Sequence, residues 1–392
     1  MIRMKTVIIL IDAFSITYLS DEYTPYICRI SKEGLSSYLK PMFAFRGIET
    51  TLFTGKWPSE HGIFAEMRLR TTYDNIRDKL FEVLIQMIDA SGHDKIMKLS
   101  RVAGEFIFRG TRSRLTPNLI PPKALKYFTA SQYKPIYYIN STKIPTIFDE
   151  LRNRDIPFRF IEPSIINGDK GILEKIKKYT KDDRTRFWYL KFSGFDMEGH
   201  IYGPEPSSFK EKIFTTEIYI RQIIDLLGGI DNINLLILAD HGMSRVHNYI
   251  DLMKELEKIK EIRLYKDYIV FLDSTLARFW FFNNNKSILV DYLNSLEYGH
   301  VITDKEKYLL KIPEDRMQIG DVMFVVDEGY MIYPDFWSGK RKAKGMHGYA
   351  YPKSKESLPI FIANRNMMKH YKRTPEYFTD IYSGVLSSLL NI

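Results

Sequence analysis

Cysteine is almost absent from this chain: Cys28 is the only one among 392 residues. That excludes an internal disulfide and a cysteine-built zinc site, so any metal must be held by histidine and carboxylate side chains. Long apolar runs are missing too. No stretch reaches the roughly 18 consecutive apolar residues of a membrane span, so no transmembrane helix is expected. There is no internal repeat, low-complexity tract or flexible linker, and no nucleic-acid-binding motif. The opening run Thr6-Val7-Ile8-Ile9-Leu10-Ile11 is too short for a secretory signal and ends on an acid, Asp12. It reads as a buried strand, and a cytoplasmic protein is expected.

What is present fits a globular protein. The chain is long enough for one large α/β domain with insertions or for two domains, and 45% of it is hydrophobic. The formal net charge is +9. Much of the excess lies between His93 and Lys134, in Lys95, Lys98, Arg101, Arg109, Arg112, Arg114, Lys123 and Lys126. A solvated basic face explains it as well as attraction of a phosphate-rich substrate, small or lipid-linked, or of an anionic membrane surface. Nucleic acid is the weakest of the partners, for want of a motif.

Three apolar segments run straight into acids. Thr6–Ile11 ends at Asp12, Phe187–Phe192 leads to Asp196, and Ile233–Ala239 ends at Asp240-His241. Continuous apolar strands separated by helical stretches indicate a parallel sheet covered on both faces. Ligands of such sheets bind beyond the carboxyl ends of the strands, so these acids and imidazoles should meet at one edge. Helical spacing marks Asp74–Ala90 and Ser208–Leu227. The division predicted is a core in three parts, 1–90, 143–245 and 337–392, interrupted by a basic cap insertion, 91–142, and a second cap, 246–336. The second combines a charged helix, Asp251–Ile262, with the aromatic strand Arg278–Phe282.

Asp196-Met197-Glu198-Gly199-His200 sets a carboxylate and an imidazole four residues apart, able to face one ion from one helical turn or a tight loop. Tyr202-Gly203-Pro204 then ends any helix. Asp240-His241-Gly242 offers adjacent ligands after a strand, with Gly242 allowing a sharp turn. His347 lies between Met346 and Gly348. Asp12, Asp196 and Asp240 in one cleft repel each other unless cations are present. Mixed oxygen and nitrogen donors suit zinc most, with manganese or iron as alternatives, and disfavour a calcium cage. Two ions about 3.5–4 Å apart can clamp a phosphoryl group.

These motifs resemble the alkaline phosphatase superfamily in its type I phosphodiesterase and nucleotide pyrophosphatase branch. The resemblance rests on Ile9–Asp12, Phe53–Ile63, Asp196–Pro204, Ala239–Met243 and Met346–Tyr349, in the family's order, and does not cover the insertions. It implies an alkaline-phosphatase-like α/β core and two divalent metals. Asp196, His200 and His347 would hold one ion, and Asp12, Asp240 and His241 the other. His61 would be structural.

One departure matters. Such enzymes carry a Thr or Ser nucleophile at a helix N-terminus, roughly nine residues before the Thr of their Thr-Gly pair. Counting back from Thr54 lands on Phe45, and aligning from Pro41-Met42-Phe43 lands on Gly47. Neither has a hydroxyl, nor has Arg46 between them. Thr50 and Thr51 are the nearest hydroxyls, but a helix starting near Gly47 places them a turn inward, where packing or back-bonding explains them. Either one of them reaches the metals, or water attacks directly, or the site binds a phosphorylated ligand with little turnover. Arg46 is a candidate for catalysis and for phosphate binding, and Arg278 a second phosphate or substrate candidate.

The expected function is metal-dependent cleavage of phosphate esters, diesters or pyrophosphates foremost. Phosphomonoesterase, sulfatase and phosphonate hydrolase activities on the same metal core are the alternatives. A formylglycine-type sulfatase is disfavoured, because the nucleophile loop has no suitable Cys or Ser.

Overall fold

The structure, a computed structural model, describes residues 4–45, 47–70, 120–125, 127–132, 134–164, 166–180, 184–338 and 341–390. Arg46, the helix expected over Asp74–Ala90 and most of the basic segment lie outside these residues.

The main sheet has six strands: β1 (Lys5–Ile11), β2 (Leu35–Tyr38), β3 (Phe158–Ile161), β4 (Phe187–Phe192), β5 (Ile233–Leu238) and β6 (Ile360–Ala363). They lie in the order β2-β6-β5-β1-β4-β3. β1 pairs in parallel with β4 and β5, and β4 in parallel with β3; β6 alone runs against its neighbours. This is the mainly parallel sheet that the apolar runs imply. Alternate residues serve opposite faces. Ile8, Leu10, Tyr189 and Leu236 pack on one side, and Val7, Ile9, Trp188 and Leu235 on the other. Helices cover both faces, as the burial on each requires. The first side takes α2 (Gly47–Thr54) and α5 (Phe378–Leu390); the second takes α1 (Pro25–Glu33) and α4 (Lys210–Leu227). Between these, α3 (Gly194–Tyr202) leads out of β4 and ends before Gly203.

A second sheet is antiparallel and built from Tyr268–Leu272, Leu276–Phe281, Gly299–Val301 and Val322–Val326. It has its own core, with Phe271, Phe279, Trp280 and Phe324. The charged segment after Asp251 is helical only over Leu252–Leu256; Ile259 and Ile262 turn into this core instead of continuing the helix.

Register delivers the acids to one place. Ile11 is level with Phe192, and Leu10 with Leu238. Asp12, Asp196 and Asp240 therefore leave the sheet at the same carboxyl edge, as the strand pattern requires.

Candidate functional site

All six expected ligands converge on one cavity of about 470 Å³, which Asp12, Asp196, His200, Asp240, His241 and His347 line together. The backbone aims them. Directly after Asp12, Ala13 adopts φ 62°, a left-handed conformation that costs a non-glycine residue energy. Its N–H donates to Asp240 Oδ1 at 3.3 Å, and the His241 N–H donates to the same oxygen at 3.1 Å. Gly242 has another task than the turn expected of it. A Cβ there would lie 2.0 Å from the Glu356 carbonyl oxygen, so glycine is needed for close approach of the 356–357 backbone.

The histidines are oriented by backbone carbonyls. Nδ1–H of His200 donates to the Gly345 carbonyl at 2.8 Å, and Nδ1–H of His241 to that of Gly242 at 2.9 Å. Each thereby turns Nε2 toward a carboxylate. His200 Nε2 is 3.2 Å and His347 Nε2 3.3 Å from Asp196 Oδ1. His241 Nε2 is 3.3 Å from Asp12 Oδ1 and 3.9 Å from Asp240 Oδ1. Asp196 Oδ1 is buried and accepts no hydrogen bond. A lone pair facing a carboxylate oxygen is repulsive unless a proton or a metal ion lies between them. Donors about 2.0–2.1 Å from one tetrahedral ion stand about 3.3 Å from each other, so the residues present fit a metal. Two donor sets have all their atoms within 4.8 Å of one another: Asp196, His241 and His347, and Asp12, Asp240 and His241. His241 belongs to both and stacks on His347 at 3.6 Å.

Without ions, protons balance the charge. Burial disfavours charge on His241, but Asp240 and Asp12 outweigh it and push its imidazolium up to about 10. His200 also rises, against its burial, because of Asp196. Burial and the charge of His241 push His347 down to about 4. Burial and the adjacent Asp12 raise Asp240. For Asp12, burial is outweighed by the Lys191 ammonium and the contact with His241, and its carboxyl falls below the ordinary range.

Lys191 is the site residue that the pattern reading passed over. It is the one charged residue of β4, and its side chain is 15% exposed. Nζ lies 3.5 Å from Asp12 Oδ2 and 3.7 Å from Asp240 Oδ2, and the residue lines the cavity. A lone lysine in an otherwise apolar strand was the available signal, since burying an ammonium requires anionic partners.

Other expected residues lie elsewhere. Thr50 and Thr51 are buried within α2, 1% and 0% exposed, and neither lines the cavity. Thr51 Oγ1 is 3.0 Å from His61 Nε2, which makes both part of the packing. Arg278 is fully buried and does not line the cavity either. Its guanidinium pairs with Asp273 and donates to the carbonyls of Met67 and Gln318 at 2.7 and 2.6 Å. The substrate role expected of it gives way to an internal ion pair. At the mouth of α2 stands Phe45, in the cavity wall, its ring against Gly348 beside His347. Gly47 follows, and a Cβ there would come within 2.5 Å of the Ile63 carbonyl oxygen. Thus neither position that the count reaches presents a hydroxyl.

The type I phosphodiesterase / nucleotide pyrophosphatase family model matches residues 6–350. The chain belongs to this family. Murine ectonucleotide pyrophosphatase/phosphodiesterase family member 7 is 24% identical over 267 residues, 65% of this chain and 53% of that protein. GPI ethanolamine phosphate transferase 3 of Schizosaccharomyces pombe is 26% identical over 92 residues, 24% of this chain and 10% of the transferase. The chain thus spans about half the length of the first relative and a tenth of the second. The solved murine ectonucleotide pyrophosphatase/phosphodiesterase 5, an inactive variant in complex with AMP, superposes with a TM-score of 0.69 at 18% identity. That match covers 100% of this chain and 96% of the other, and it fixes the alkaline-phosphatase-like fold. Among the described residues no helix is long and apolar enough to cross a membrane.

Proposed function

We propose that this family member cleaves phosphate diesters or pyrophosphates with two divalent ions, zinc foremost and manganese or iron as alternatives. Asp196, His200 and His347 would hold one ion, and Asp12, Asp240 and His241 the other. When bound, such ions polarise a phosphoryl group and offset charge that develops on its oxygens. The observation that carries the reading is the convergence of six donors at one sheet edge, with the Nε2 atoms of His200, His241 and His347 directed at carboxylate oxygens 3.2–3.3 Å away.

The chain's own groups shape the rest. Met42, Phe45, Trp337 and Tyr349 form an apolar wall that limits water and favours a substrate with an apolar or planar portion. With Phe45 at the helix mouth, no covalent phosphoryl intermediate forms on a Thr or Ser there. Water attacks directly, in one displacement that inverts phosphorus. A cytoplasmic setting belongs to the same proposal. The relatives' names, a pyrophosphatase/phosphodiesterase and an ethanolamine phosphate transferase, support a diester substrate.

Turnover of bis-(p-nitrophenyl) phosphate by zinc- or manganese-loaded protein tests the activity, and a chiral phosphate tests the stereochemistry. Inversion is expected. Retention would sink direct attack by water. Metal binding without turnover of any aryl phosphoester favours the second reading, a phospho-ligand-binding protein, to which the hydroxyl-free mouth of α2 also points.

A further inference from the structure

One wall of the cavity comes from Asp273 and Ser274, in a turn of the antiparallel sheet, and from Trp337, Ser338, Arg341 and Ala343 after it. Its side-chain donors are committed, with one exception. Trp337 Nε1–H donates to Asp273 Oδ1 at 3.0 Å, and Asp273 is also paired with Arg278. Ser274 and Ser338 both donate their hydroxyls to Asp335 Oδ2, at 2.6 and 2.7 Å. The exception is Arg341. It lines the cavity, and among the described residues it has no hydrogen bond, ion pair or ring contact. The aspartates of the metal site pair elsewhere: Asp12 and Asp240 with Lys191 and His241, and Asp196 with His200 and His347.

The chain beside Arg341 is anchored. Lys342 turns away from the cavity, its Nζ 4.6 Å from the Tyr249 ring centre and 5.7 Å from that of Tyr333. The Ala343 carbonyl accepts the Tyr249 hydroxyl at 2.9 Å. The Lys344 N–H donates to the His200 carbonyl, and the Lys344 carbonyl accepts the Val246 N–H, both at 2.8 Å. Arg341 and Ala343 thus face the cavity from a strand of chain tied to the backbone of a metal-site histidine. We propose that Arg341 is a specificity residue that binds a second negative group on the substrate, apart from the phosphoryl group that is cleaved. This deepens the phosphodiester reading above and rests on it. A guanidinium presents its N–H donors in a fixed fork that fits phosphate or carboxylate. The rest of this wall offers an indole face and hydroxyls already in use, and nothing else on it carries positive charge. The substrate class is a diester with a further anionic group: the second phosphate of a pyrophosphate, or a carboxylate on one of the alcohols. The site takes it in preference to a diester with neutral substituents.

Probes that differ in this group test the assignment. Bis-(p-nitrophenyl) phosphate lacks it, symmetrical bis-(p-nitrophenyl) pyrophosphate carries a second phosphate, and p-nitrophenyl phosphoglycolate carries a carboxylate. In zinc-loaded Arg341→Met, kcat/KM for at least one anionic probe, taken relative to that for the first probe, should fall by about 10–100-fold. That is the range for losing a charge-assisted pair of hydrogen bonds. The probe whose ratio falls identifies the group. Arg341→Lys keeps the charge without the fork and should recover part of the ratio. Arg341 is exposed, so both variants should fold. Ratios within about threefold of the wild type overturn the inference and leave a solvated surface arginine only. Equal loss on every probe overturns it too, because a second group would then play no part. If no probe turns over, the diesterase reading fails, and calorimetric dissociation constants of the same compounds decide the inference by the same ratios.

Discussion

Substituting valine for Thr51 separates packing from catalysis. Thr51 is 0% exposed and its Oγ1 lies 3.0 Å from His61 Nε2. His61 Nδ1 accepts the Ile63 N–H, so Nε2 carries the ring proton and donates it to Thr51. Burial pushes the His61 imidazolium down to about 4, so the ring is neutral at pH 7. Valine keeps the shape but removes the acceptor, leaving a buried N–H unpaired. The expected cost is about 1–3 kcal/mol of stability, the range for stranding one buried neutral donor. Turnover should be untouched in protein that remains folded and metal-loaded. Urea unfolding of the ion-free protein, followed by kcat/KM on an aryl phosphodiester well below the transition, reads both. In a His61→Phe background the further cost of Thr51→Val should shrink toward zero, because the stranded donor is gone. Complete loss of turnover with stability unchanged would refute the reasoning and return Thr51 to the chemistry. Thr50→Val should likewise leave turnover intact.

Asp240→Asn should abolish phosphodiester turnover while the protein stays folded, measured by kcat at saturating Zn²⁺; retained activity would remove the second ion from the chemistry. Arg278→Leu should destabilise by about 3–5 kcal/mol, since it leaves the buried Asp273 carboxylate without its ion-pair partner. A change confined to KM would instead point to substrate contact. Glu328 tests the acid side of stability. Its burial favours the neutral form, but hydrogen bonds from Ser244, Ser354 and Ser357 outweigh it and hold its carboxyl down to about 2. A depressed carboxyl stabilises fully above its unfolded value of 4.5, and that contribution is lost as pH falls toward 2. Unfolding profiles of Glu328→Gln should therefore be flatter than wild type between those limits. An unchanged slope would show that Glu328 titrates alike in both states.

The sheet edge was legible because three apolar strands each stop at an acid, and parallel strands bring their carboxyl ends together. Counting back from Thr54 reaches Phe45, and the structure places that residue in the cavity wall. Lys191 escaped notice because a charge inside an apolar strand has no local partner in the sequence. Its partners, Asp12 and Asp240, come from the two strands ahead of and beyond it in the chain and meet it only after the sheet forms. Arg278 misled for the same reason. Among aromatics it looked like a substrate group, yet the Met67 and Gln318 carbonyls that satisfy it lie 211 and 40 residues away in the chain. Gly242 was expected only to allow a turn. The Glu356–Ser357 backbone that demands its missing side chain is distant in sequence.

The placement of the six donors explains how such a site persists without the family's hydroxyl. Asp12 and Asp240 leave β1 and β5, Asp196 and His200 ride on α3, and His347 follows the short strand Gly345–Met346. None of them is carried by α2. Their orientation comes from main-chain groups: the Ala13 and His241 N–H groups on Asp240, and the Gly345 and Gly242 carbonyls on the two histidines. A change at the mouth of α2 therefore removes one reacting group and leaves the donor geometry in place. Phe45 adds apolar surface beside that geometry and supplies no charge. The same six side chains would still hold two divalent ions, and Lys191 adds a positive charge on the Asp12/Asp240 side. A phosphate oxyanion entering a metal-loaded cavity would meet that positive charge without a competing anionic side chain from the mouth of α2. If the chain has the proposed activity, departure of the anionic product should then limit turnover rather than attack on phosphorus; a burst of released alcohol ahead of the steady state is expected, and a linear onset would refute this.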